Sequence, residues 1–129
     1  MSNAVKITLA VVFILSICFL DIFLGKTTDK LIYETEEKLE ALKSALAEKN
    51  YDECKKKSEE LSDKWDYCED KFSYFIEHDE LEKVSSKVAI IAENSKNNEY
   101  KLALEDSIET KYLLEHIKDK LKLKLNNVF

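Results

Sequence analysis

The sequence predicts an all-α chain, an N-terminal transmembrane helix followed by an antiparallel up-and-down helical bundle of three to four helices. Three observations predict it. Ile7 to Leu24, ITLAVVFILSICFLDIFL, is an apolar run whose single charge is Asp21. The remainder is dense in Lys and Glu, with apolar residues recurring at spacings of three and four, the period of one helix face. The 129 residues contain one Gly and no Pro, so little in the chain interrupts a helix.

The apolar run comes first. At about 1.5 Å of rise per residue it reaches about 27 Å, close to the roughly 30 Å of hydrocarbon that a spanning helix must cover. Its thirteen Ile, Leu, Val and Phe residues contribute about −4 to −8 kcal/mol towards insertion, against about +3 for one mid-membrane Asp. Asp21 lies in the last turn, beside Gly25, Lys26 and Thr27, and reads as a boundary residue; the rival reading is a partner's cation or an ion path. Residues 1–25 are thus the expected anchor, of signal-anchor type. A cleaved secretory signal, or a lipoprotein signal ending at Cys18, fits less well, because Phe19, Leu20, Ile22, Phe23 and Leu24 prolong the run and bulky Ile17 precedes the cysteine. Lys6 on one side and Lys26 and Lys30 on the other nearly balance the positive-inside count. With six residues ahead of the run, the simplest topology leaves them in the cytoplasm and places the rest outside it.

Four amphipathic segments follow. Residues 26–50 carry Ile32, Leu39, Leu42 and Leu46 on one stripe. This stripe is thin between Tyr33 and Leu42, so the segment reads as a stalk, a continuation of the anchor or a first bundle helix. Residues 51–129 form the expected bundle core. Its clearest seam is Cys54, Ser58, Leu61, Trp65, Cys68, Phe72 and Phe75, spaced 4, 3, 4, 3, 4, 3, a coiled-coil heptad pattern suited to helix packing at about 20°. Leu81, Val84, Val88 and Ile91 continue it, and Ala103, Leu104, Ile108, Leu114, Ile117 and Leu121 form the last face. Asn50 with Glu53 and Asp79 with Glu82 match capping boxes, one helix stops near His78, and Asn94 to Asn98 is a polar turn cluster. Connections this short force sequential helices antiparallel.

Charge narrows the partners. All 20 basic residues are Lys, and from Lys26 onward 19 of them face 25 acids. An acidic domain without Arg lacks the concentrated basic footprint that nucleic acid requires, so nucleic acid is not an expected partner. Lipid is the first expected partner and a membrane or envelope protein the second; homo-oligomerisation is left open. Tyr67, Tyr74 and Tyr100 flank the stripes as rim residues or a partner surface.

Catalytic chemistry finds few footholds. Cys54 and Cys68 lie fourteen residues apart, roughly 21 Å along one helix, too far for a disulfide whose Cα atoms stand roughly 4.4 to 6.8 Å apart. His78 and His116 are the two histidines. The Glu77-His78-Asp79-Glu80 run coincides with an expected helix boundary, and His116 has no histidine at i+4 for a zinc pair. No catalytic, cofactor-binding or metal site is expected, and one glycine cannot build a phosphate loop. Asp21, Trp65, Tyr67, Tyr74 and His78 are the candidate interaction residues.

In the order of its features, with Trp65 mid-helix, His78 followed by Glu80, and a C-terminal Asn127-Val128-Phe129, the chain resembles the small single-pass helical proteins of clostridia-type bacteria grouped as a domain-of-unknown-function family numbered 4363. That resemblance implies a membrane-associated bacterial protein without an established activity. Two functions are carried forward. The first is a non-enzymatic membrane-tethered bundle acting as an interaction or accessory subunit. The second is an extracytoplasmic ligand-binding or sensory bundle with a pocket near Trp65, Phe72 and His78.

Overall fold

The computed structural model describes residues 2–126, with side chains as far as Leu123. It is all-helical: α1 (Asn3–Glu48), α2 (Tyr51–Phe72), α3 (His78–Lys96) and α4 (Tyr100–Asn126), with no strand among the described residues. Each helix packs on two neighbours, α1 on α2 and α4, and α3 on α2 and α4, closing an up-and-down four-helix bundle. The Asn127-Val128-Phe129 motif lies outside the described residues.

α1 is one unbroken helix of 46 residues, about 69 Å long at the usual rise. Ser2 caps it, its hydroxyl accepting from the Val5 N–H at 3.3 Å. Its first half projects from the bundle, and its second half buries Thr28, Leu31, Ile32, Thr35, Leu39 and Leu42, then Ala45 and Leu46. Residues 28–46 therefore line the core on an equal footing with the other helices.

The seams run through all four helices at the same 4-3 alternation. In α2 they are the residues read from sequence, Cys54, Ser58, Leu61, Trp65, Cys68 and Phe72, all buried, with Phe75 packed against them. Leu81, Val84, Val88 and Ile91 of α3 are likewise buried, followed by Ser95. α4 departs from the expectation. Ile108 is 43 % exposed, and the buried row is Ala103, Ser107, Thr110, Leu114, Ile117 and Leu121. Ser107 and Thr110 hold these positions by turning their hydroxyls back on their own helix, donating to the Ala103 and Asp106 carbonyls at 2.7 Å each. Thr28 and Thr35 do the same in α1, donating to the Leu24 and Leu31 carbonyls at 2.9 and 2.8 Å. A stripe that looks thin in the sequence is completed by self-satisfied hydroxyls.

The turns are built without glycine. Lys49 takes the left-handed conformation at φ 56° after α1, donating to the Leu46 carbonyl, while the Asn50 N–H reaches the Ala45 carbonyl. That pair of bonds is a Schellman closure. Asn98 at φ 60° does the same after α3, with the Glu99 N–H on the Asn94 carbonyl. Asn50 caps α2 as expected, its side chain accepting from the Glu53 N–H at 3.3 Å. The expected Asp79 cap is corrected: α3 starts two residues earlier than that cap implies, Glu77 is its N-cap without a side-chain bond, and Asp79 lies inside the first turn. The Glu80 and Leu81 N–H groups close on the Glu77 carbonyl, because buried Ile76 fixes the chain just ahead of it. Asp79 and Glu80 still sit favourably, as negative charges at a helix N-terminus.

Candidate functional site

Candidate surfaces arise where the bundle leaves side chains outside its core, and the largest is the first half of α1. An 18-residue window there is apolar and long enough to cross a membrane, and none of it is buried against the protein. Val5, Ile7, Phe13, Leu15, Phe19 and Phe23 are among its exposed side chains. A helix of this length and composition near the N-terminus can cross a membrane, and a signal sequence has the same character.

The end of the bundle nearest this segment can be located from contacts. Cys68 of α2 reaches the Leu31 carbonyl at 3.7 Å and the Thr35 hydroxyl at 3.2 Å. Lys120 of α4 lies 3.1 Å from Glu80 and 3.8 Å from Glu77 of α3. The C-terminal end of α2, the α2–α3 turn and the start of α3 therefore gather at the level where α1 enters the bundle.

Four of the five candidate residues lie towards that end, in different settings. Trp65 is 1 % exposed in the core, its ring 6.3 Å from that of Phe72, and its Nε1 donates to the Ser85 hydroxyl at 2.8 Å. Ser85 in turn donates to Glu69 at 2.9 Å, joining α2 to α3. Tyr67 is 53 % exposed, with the Lys64 and Lys71 ammonium groups 5.6 and 5.5 Å from its ring centre, both within cation–π range. Tyr74, in the α2–α3 turn, is 83 % exposed. His78 is exposed at the start of α3, 3.7 Å from Glu82. The fifth, Asp21, is half-buried on the projecting part of α1. The structure thus makes Trp65 a packing residue and leaves Tyr67, Tyr74 and His78 on the outside.

Titratable groups between helices act as clasps. Lys87 of α3 lies 3.2 Å from Asp106 and 2.5 Å from Glu109 of α4, and hydrogen bonding to Glu109 and then Asp106 raises its pKa. The hydrogen bond from Lys120 holds Glu80 below its ordinary value, and the one from Lys64 does the same for Glu34. Cys54 and Cys68 are free, buried thiols on one helix, and burial pushes both up, away from the reactive thiolate. Among the described residues no three His, Cys, Asp or Glu side chains are grouped to hold a metal ion.

Sequence reasoning missed one surface. Between α3 and α4 an open groove of about 720 Å³ is lined by Ile90, Tyr112 and Leu113, with Lys83, Lys87 and Glu109 around them. Its signal was the set of apolar residues left over once the 4-3 seams are assigned: Ile90 beside Ile91, and Tyr112 on the outer side of α4.

A family model described as Domain of unknown function (DUF4363) matches residues 22–128, from the last turn of the apolar run through α4. It is the family that the Trp65, His78 and Glu80 resemblance pointed to. No curated protein and no solved structure matches the chain.

Proposed function

We propose a function for a chain that belongs to the DUF4363 family: it is a single-pass, membrane-anchored, non-enzymatic helical bundle that serves as an interaction or accessory subunit for another membrane or envelope protein. One observation carries the reading. A single helix holds both an unburied apolar segment of membrane-spanning length and one of the four seams that make the bundle's core. Lipid is the natural cover for the first half, and the second half then holds a charged bundle at the bilayer surface. The α3–α4 groove supports a protein partner, since an apolar floor with Lys and Glu on its walls suits the apolar row of an amphipathic helix. We place the bundle on the extracytoplasmic side, because long hydrophilic domains translocate behind such a segment largely regardless of charge.

Affinity capture of the full-length protein from detergent-solubilised membranes is expected to recover one stoichiometric partner, and its absence across several detergents overturns the accessory role. Asp21→Leu sorts the source of that partnership. As a boundary residue Asp21 can be replaced with the partner retained, whereas loss of the partner would assign Asp21 to a cation within the bilayer. A ligand-binding bundle remains the second reading because the same groove is large enough for a small molecule. A ligand-dependent rise in melting temperature, abolished by Tyr112→Ala, would favour it.

A further inference from the structure

We propose that the α2–α3 turn is a second lipid contact, in which Tyr74 enters the headgroup layer of the bilayer that takes the apolar half of α1. The inference rests on the membrane anchor proposed above. Only Gly25, Lys26 and Thr27 separate the end of the apolar run from Thr28, the first buried residue of the bundle, and all three are helical. The bundle therefore begins about 6 Å above Leu24 at helical rise. A headgroup layer is about 5 to 7 Å deep on each side of the hydrocarbon, so the near end of the bundle cannot stand clear of it.

α2 runs antiparallel to α1, and Cys68 is level with Leu31, whose carbonyl it reaches at 3.7 Å. Phe72, one turn further on, is then level with Thr27, and the residues beyond it descend towards the end of the apolar run. Tyr74 stands there, 83 % exposed on a turn otherwise held by buried Ile76 and by Phe75 packed on the core. A phenol ring with an apolar body and a polar tip is the side chain that membrane interfaces favour. With α1 entering the bilayer and Tyr74 resting on it beside α1, the bundle has two points of support.

The test uses the full-length protein in phosphatidylcholine vesicles containing lipid with a quencher near the headgroup. A polarity-sensitive fluorophore is attached at native Cys18 or, in a Cys18→Ser background, at Ser73→Cys or at Asn97→Cys on the opposite end of the bundle. Cys54 and Cys68 are buried and stay unlabelled in the folded protein. The expected result is about a twofold loss of emission at Cys18 and at the Ser73 position, with little loss at the Asn97 position. Adding Tyr74→Ser is expected to restore much of the emission at the Ser73 position. Quenching at Cys18 without quenching at the Ser73 position overturns the second contact and leaves the anchor standing. Quenching at neither overturns both. Quenching at all three positions means that the bundle lies on its side, and unchanged quenching after Tyr74→Ser means that Tyr74 is not the contact; either result overturns the proposal.

Discussion

Six hydroxyl side chains occupy buried seam positions, and five of them answer their own helix. Thr28, Thr35, Ser58, Ser107 and Thr110 each donate to a backbone carbonyl three or four residues back. Among the described residues, Ser95 alone is buried with a hydroxyl that meets no partner. Since an unsatisfied buried polar group costs about 1–3 kcal/mol, Ser95→Ala is expected to raise stability by about 1 kcal/mol. Urea titration of the protein in detergent micelles, followed by helical circular dichroism, would read this as a higher midpoint; a lower midpoint refutes it. Ser85→Ala is expected to act in the opposite sense, by about 1–2 kcal/mol, because it leaves the buried Trp65 indole N–H without its acceptor. Glu80 gives the pH dependence. Lys120 holds its pKa below the ordinary 4.5, so between those two values the unfolded chain binds more protons than the folded one. The stability it contributes is complete above 4.5 and is lost as pH falls through the lowered value. Lys120→Met should flatten this part of the acid limb, and an unchanged limb would show that the clasp adds nothing.

The two helix ends with left-handed residues differ in cost. Lys49 adopts a left-handed backbone without the asparagine chemistry that eases Asn98 into the same geometry. Replacing it with glycine removes a Cβ penalty of about 1 kcal/mol, partly offset by added freedom in the unfolded chain. Lys49→Gly is therefore expected to stabilise the protein by up to about 1 kcal/mol, whereas Asn98→Gly should be close to neutral; equal effects at the two turns would contradict this account. Legibility in the sequence varies from helix to helix for a related reason. The α2 seam was readable because Trp65, Phe72, Leu61 and two cysteines mark it with large or wholly apolar groups. The α4 seam was misread at Ile108 because Ser107 and Thr110 look like surface residues until their bonds to the preceding turn are seen. The expected start of α3 lies two residues too late because a capping pattern at Asp79 competes with the buried plug of Ile76 just ahead of Glu77. Of the candidate residues, exposure of Tyr67 and Tyr74 followed from their place off the seam, while Trp65 belongs to the core that the same seam defined. The α3–α4 groove depends on the spacing between two helices, which periodicity along either one does not encode.

At the scale of the whole molecule, the closed ring of four helices and the projecting half of α1 are joined through one covalent rod. Membrane residence is expected to survive alkaline carbonate washing, and release into the aqueous fraction would remove the basis of the proposed role. Lys96→Cys, on the exposed far end of α3, reports which side of the membrane the bundle occupies. Labelling by an impermeant thiol reagent in intact cells supports the extracytoplasmic placement, and labelling only after lysis reverses it. The missing joint between the two halves of α1 has a mechanical side. With no flexible linker near Gly25, any lean of the anchor proposed above would be transmitted to everything beyond it. Residues 28–48 rise about 30 Å, so a typical lean of about 20° carries the far turns about 10 Å sideways. If α1 takes its place in lipid as proposed, thinner lipid would make such a rod lean further, and the height of the α3–α4 turn over the surface would follow bilayer thickness.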